Sequence, residues 1–174
     1  MSMPADEQMR QRALEGDEAA FAALIGPLVE PALQLAYSML GDRGEAEDAT
    51  QEALTSAWRK LSQLRDTAAV RPWLLGIVIN RCRNIRRTHW FRLIRVADPP
   101  AIRDMKESTE AHLDLDRALV RLSARDRQAL FLHFYLDLPL HEVAITLGIS
   151  ESAAKARIYR ACQRLRPGVT EEAL

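Results

Sequence analysis

Between Ala19 and Leu40 the apolar positions Phe21, Leu24, Leu28, Ala32, Leu35 and Met39 recur every three or four residues, the period of one helix face. Pro27 and Pro31 lie inside this stretch and each removes a backbone donor, so the spacing predicts a helix kinked or interrupted near Gly26. Gly41-Asp42 ends it. A second helix is predicted over 43–64, with Ala46, Ala49, Ala53, Leu54, Ala57, Trp58 and Leu61 facing inward. A loop over 62–71 follows. Pro72 suits the first turn of a helix, where a missing N–H leaves no bond unmade. That third helix is predicted to reach Arg87, apolar in its first half and basic in its second.

Residues 88–111 lose the periodicity, contain Pro99-Pro100 and mix charges without an apolar stripe, which reads as a linker. Beyond it, Leu115, Leu119 and Leu122 mark one short helix and Ala129 to Leu136 another; Pro139 to Leu147 and Ser150 to Leu165 complete the set. No segment alternates with period two over a useful length, so no strand is predicted. The fold class is therefore all-α: two small helical domains over 1–88 and 112–168, a linker over 89–111 and a tail over 169–174.

Composition narrows the classes of function. At 174 residues, 48% hydrophobic and 28% charged, the chain is globular rather than disordered. The longest apolar run covers only 73–79, short of the ~20 residues of a spanning helix, so no membrane span is expected. Met1 to Arg10 is polar and acidic, unlike a secretory signal, which places the chain in the cytoplasm. Cys82 and Cys162 lie far apart outside any CxxC, so both are read as plain thiols and no metal or cofactor is expected.

The net charge of zero hides a strong pattern. Residues 1–56 carry three basic against eleven acidic side chains, and residues 57–95 ten against one. Residues 96–116 carry two against six, and residues 117–174 nine against six. Basic blocks fit a polyanion, because Arg and Lys contacts to phosphates release counterions. Solvated helix faces explain the same counts taken alone.

The segment LPLHEVAITLGIS over 138–150, followed by a basic helix, has the build of a helix-turn-helix. Val143, Ala144 and Leu147 can face inward, Gly148 marks the turn, Ile149 plugs it and Ser150 caps the next helix. On that helix Ala154, Ile158, Ala161 and Leu165 form the core stripe, and the opposite surface carries Ser152, Ala153, Ala156, Tyr159 and Gln163. Lys155 flanks it on one side and Arg157, Arg160 and Arg164 on the other, which suits a helix in the major groove with phosphates gripped beside it. A plain helical hairpin accounts for the apolar stripe but not for the turn together with five basic residues against Glu151 alone over 151–166.

Taken together, LGDRGEAEDATQEALTSAWR over 40–59, RPWLLGIVIN over 71–80, the stretch from Leu122 to Leu130 and ISESAAKARIYRA over 149–161 resemble the extracytoplasmic-function (group four) sigma factors of the bacterial sigma-70 family. That family keeps the second and fourth sigma domains joined by a linker. The resemblance implies that Asp48, Gln51 and Glu52, at i, i+3 and i+4, dock the clamp helices of the polymerase beta-prime subunit. It implies that the loop before Pro72 and the helix after it read the minus-ten element as an unstacked strand, with Arg65, Arg71, Asn80, Arg83, Asn84, Arg86 and Arg87 contacting DNA and Arg81 adding phosphate-facing charge. It implies minus-thirty-five recognition by Ser152, Lys155, Ala156, Arg157, Tyr159 and Arg160. Its partners are core RNA polymerase, including the beta flap, promoter DNA and an anti-sigma factor. Trp58 and Trp73 sit on apolar stripes and are read as core. Asn84 stands where the family usually has Asp, and Ala153 and Ala156 replace commoner hydroxyl residues, which bears on the promoter sequence read.

Two other classes are weighed. A helix-turn-helix regulator without the sigma role, such as a response-regulator output domain, fails on the first half, because a phosphoacceptor domain there would need alternating strands and helices that the pattern over 1–88 does not give. An enzyme would draw on Cys82, His89, His112, His133 or His141, but the histidines share no ligand spacing and neither a Gly-rich phosphate loop nor GxSxG occurs. The expectation is a sigma factor that performs no chemistry of its own.

Overall fold

The computed structural model describes residues 5–64, 69–93 and 122–165, excepting the side chains of 89–93. The described residues are helical, with no strand among them, and the chain folds as two compact units. The N-terminal unit comprises α1 (Ala5–Leu14), α2 (Glu18–Ile25), α3 (Val29–Leu40), α4 (Arg43–Lys60) and α5 (Val70–Leu93). The C-terminal unit comprises α6 (Ala124–Leu130), the part of α7 (Leu140–Leu147) up to Ala144, and α8 (Glu151–Leu165).

The interruption predicted near Gly26 is a 3-10 turn, Gly26–Leu28, with Pro27 in it, and the chain resumes as α3. Gly41 ends α3 in the left-handed region (φ 74°), which a side chain rarely adopts, and its N–H donates to the Tyr37 carbonyl at 2.9 Å. Asp42 then caps α4, its carboxylate accepting from the Glu45 N–H at 2.9 Å. The second predicted helix stops at Lys60 and tightens into a 3-10 turn, Leu61–Gln63. The third reaches Leu93, beyond the Arg87 expected, because the basic half keeps helix-forming residues and meets no breaker.

Helices α3, α4 and α5 pack on one another. The buried side of α4 is almost wholly small: Ala46, Ala49, Ala53 and Ala57 are at most 1% exposed. Against it lie Leu35 and Ala36 of α3 and Leu74, Leu75, Val78, Ile79 and Cys82 of α5, all fully buried. Trp58 and Trp73 both pack against a neighbouring cluster around Leu24, Leu61 and Leu64, as expected of core residues. Phe21 meets Trp58 edge to face, ring centroids 4.9 Å apart.

Helix α1 was not predicted. It has only Met9 and Ala13 to face inward, too few apolar positions for a period to show, yet both join the Leu24 cluster. Polar contacts hold it instead. Arg10 is bound by Glu7 and its Nη1 donates to the Leu64 carbonyl at 3.1 Å, tying α1 to the end of the 3-10 turn that follows α4. Asp17 caps α2 by accepting from the Ala20 N–H at 3.0 Å and pairs with Arg12 at 2.6 Å, and the two contacts hold its carboxyl below the usual range.

Glu18–Leu40 is long and apolar enough to cross a membrane by length and composition, although no uninterrupted apolar run marks it. The 3-10 turn divides it, and Ala20, Leu24, Ile25, Ala32, Leu35 and Ala36 are buried inside the unit.

In the C-terminal unit Ser123 caps α6, and the helix runs on into a π-helical turn, Phe131–Tyr135. The helix expected over 129–136 is thus the second half of a longer one. His133 Nδ1 donates to the Leu138 carbonyl at 2.8 Å, and Asp137 turns the chain in the left-handed region (φ 53°) before α7. Leu130, Leu132, Leu136 and Leu138 close on Val143, Ala144, Ala154, Ile158 and Ala161 to form the core. The helix marked by Leu115 and Leu119, most of the linker and the tail lie outside the described residues.

Leu35→Ala should lower unfolding free energy by about 2–5 kcal/mol in urea titration, the cost of a cavity at a fully buried leucine, whereas Tyr37→Ala, 47% exposed, should cost under about 0.5. Burial pushes the Cys82 thiol up to about 11 from an ordinary 9.0. It therefore stays protonated at pH 8, and the stability this raised value contributes is full below pH 9.0 and is lost as pH rises through about 11. An aromatic disulfide reagent at pH 8 should modify Cys162 first and Cys82 only on unfolding.

Candidate functional site

On α4 the face opposite the alanine seam presents Asp48, Gln51 and Glu52, all exposed. Their spacing places them on about one turn, and on the buried side the Thr50 hydroxyl is satisfied by donating to the Ala46 carbonyl at 2.7 Å. Asp48 and Gln51 face solvent. Glu52 does not stand alone: Arg81 of α5 is ion-paired to it. In this structure the Arg81 guanidinium, expected to add phosphate-facing charge, reaches toward α4. The sequence signal was its angle, about 100° round the helix from Asn80.

Asn80, Arg83, Asn84 and Arg87 follow at i, i+3, i+4 and i+7 along α5 and form one exposed stripe, directly opposite the buried Val78, Ile79 and Cys82 side. Arg86 is exposed as well, about 100° round from it. Arg71 is half-buried in the first turn. Arg65 lies outside the described residues. The structure thus brings four of the seven proposed minus-ten residues into one row, cationic and amide groups alternating, with no carboxylate in it.

The helix-turn-helix forms as the residues dictate. Gly148 sits in the left-handed region (φ 66°), and the Ile149 N–H donates back to the Ala144 carbonyl at 3.0 Å. The Ser150 hydroxyl accepts from the Ala153 N–H at 3.2 Å, while its carbonyl accepts from Ala154 at 2.9 Å. Along α8, Ser152, Lys155, Tyr159 and Gln163 are exposed on one stripe with Ala156 half-buried between them, and Tyr159 is 63% exposed. Arg160 is exposed beside this stripe and Arg157 half-buried further round. Arg164, expected at the flank, instead binds Asp126 of α6 at 3.1 Å. Among the described residues no group of three His, Cys, Asp or Glu is placed to hold a metal ion.

Two family models match this chain, Sigma-70 region 2 over residues 24–92 and Sigma-70 region 4 over residues 112–165. Together they define a subunit that programmes RNA polymerase for initiation. The extracytoplasmic-function sigma factor SigL of Mycobacterium tuberculosis is 31% identical over 164 residues, covering 88% of this chain and 93% of its own. Sigma factor NccH of Alcaligenes xylosoxydans is 28% identical over 92% of each chain. The solved structure of CnrH in complex with the cytosolic domain of CnrY superposes with a TM-score of 0.68 at 25% identity, covering 93% of this chain and 95% of CnrH. The fold is also that of RpoE of Bartonella quintana, solved with the anti-sigma factor NepR, at a TM-score of 0.67 and 23% identity over 83% of this chain and 93% of that one. The chain belongs to the extracytoplasmic-function sigma factors of the sigma-70 family, which direct transcription initiation and are not enzymes. The match of both halves sets aside a helix-turn-helix regulator without the sigma role.

Arg164→Ala should destabilise the C-terminal unit by about 1 kcal/mol, since it leaves the Asp126 carboxylate, 12% exposed, without its cation. Thermal melts should show that loss, and DNA affinity measured well below the transition should change less than for Arg160→Ala.

Proposed function

We propose that the outer face of α4, Asp48, Gln51 and Glu52, docks the clamp helices of the polymerase beta-prime subunit, while the α5 stripe of Asn80, Arg83, Asn84 and Arg87, with Arg65, Arg71 and Arg86, holds the minus-ten strand. The second unit presents Ser152, Lys155, Ala156 and Tyr159 to the minus-thirty-five major groove, with Arg157 and Arg160 at phosphates, and meets the beta flap. The functional divisions are 1–88, a linker over 89–111, 112–168 and a tail.

The observation that carries this reading is the opposition of charge on two faces of one packed unit: α4 turns carboxylates outward and α5 turns cations and amides outward. A single surface of that composition would repel one partner while binding the other; two surfaces let a polymerase subunit and a nucleic acid be held together. The absence of commoner hydroxyls at Ala153 and Ala156 bears on which bases are read, since fewer groups remain to donate to base edges. The cytosolic domain of CnrY bound to CnrH supports a further protein partner for this chain in the cytoplasm, which we read as an anti-sigma factor.

Asp48→Lys with Gln51→Ala should weaken core polymerase binding at least about tenfold without changing the affinity of the free chain for single-stranded DNA. Arg83→Ala with Arg87→Ala should do the reverse, and the slope of log affinity against log salt should fall by about 1.4 if each cation neutralises one phosphate. Equal losses in both assays from either pair would overturn the division of faces.

A further inference from the structure

Arg81 stands between the two faces. It leaves α5 about 100° round from Asn80 and one step from Asn84, and its Nη2 reaches Glu52 on α4. Glu52 belongs to the acidic row and is 53% exposed; Arg81 is 38% exposed. The bond uses one guanidinium nitrogen, and Arg81 Nε, shielded from solvent, makes no hydrogen bond. A guanidinium has five donors in a fixed fork, so this pairing leaves most of its capacity unused.

We propose that Arg81 is a shared counterion: it neutralises Glu52 in the free protein and passes to a nucleic-acid phosphate once a basic side chain of the polymerase takes Glu52. This rests on the reading of the α4 face as the polymerase face. The exchange turns one ion pair into two. Before docking, Glu52 holds Arg81; after it, Glu52 holds a polymerase cation and Arg81 holds a phosphate, so neither carboxylate nor guanidinium is left unpaired beside the protein surface. Binding polymerase and binding DNA thereby favour each other through a single side chain, and linkage requires the effect to run both ways. Because both groups are partly exposed, the coupling is small, about two- to fivefold, and it weakens with salt.

The two substitutions that break the pair have opposite signs in the two assays, which a merely structural bridge does not produce. Full-length protein is titrated with bacterial core RNA polymerase and, separately, with a mixed-sequence single-stranded oligonucleotide at low salt. Arg81→Gln should raise affinity for core about two- to fivefold, because Glu52 is freed, and should lower oligonucleotide binding by the holoenzyme. Glu52→Gln should lower affinity for core and raise oligonucleotide binding by the free protein by a similar factor. Arg81→Lys, which keeps the charge, should restore wild-type values in both assays. The proposal is overturned if Arg81→Gln weakens core binding as Glu52→Gln does, or if neither variant alters oligonucleotide binding. Asp48→Lys with Gln51→Ala separates the underlying reading: unchanged core affinity in that variant overturns the docking face and this proposal with it, whereas a loss there with no gain in Arg81→Gln overturns the counterion alone.

Discussion

The seam of Ala46, Ala49, Ala53 and Ala57 is the constraint on which the first unit depends. The distance between packed helices is set by the side chains at the contact, and four alanines let α3 and α5 come close along the length of α4. A close seam has few rotamers to adjust and few voids to absorb a shift. The opposite side of α4, carrying Asp48, Gln51 and Glu52, is thereby fixed in azimuth, and so is the α5 stripe, whose buried side is Val78, Ile79 and Cys82. A larger residue in the seam would move both outward faces at once.

Charge is sorted on this frame by helix. The acid-rich start of the chain and the base-rich stretch from 57 to 95 are adjacent in sequence, and packing turns their charged sides away from the common core. They meet at Glu52 and Arg81, where a surface ion pair bridges α4 and α5. In the second unit the corresponding internal pair is Asp126 with Arg164, which joins α6 to α8 and removes one cation from its outward set.

Periodicity was enough to read α3, α4, α7 and α8, since each has an apolar stripe bounded by a breaker or a cap: Gly41, Asp42, Gly148 and Ser150 act where their chemistry places them. It was not enough for α1, whose attachment is an arginine reaching the Leu64 carbonyl, a contact over 54 residues that no local pattern encodes. The reach of α5 to Leu93 was missed because a basic stretch without an apolar stripe in its sequence looks like a loop until φ and ψ are known. Of the candidate sites, the rows on α4, α5 and α8 were legible from spacing, because exposure follows from helical phase. The roles of Arg81 and Arg164 were not, since each long side chain leaves its own helix to bind a carboxylate on another. Family resemblance, more than residue chemistry, supplied the partners.

The central claim is that three outward rows address three different surfaces, and site-specific photocrosslinking in a reconstituted initiation complex tests it most directly. A photoreactive amino acid is placed singly at Gln51, Asn84 and Ser152, and the crosslinked species is identified after irradiation. The account predicts the beta-prime subunit from Gln51, the minus-ten strand from Asn84 and minus-thirty-five duplex from Ser152. Crosslinking of Gln51 to DNA, or of Asn84 to beta-prime in place of DNA, would contradict it.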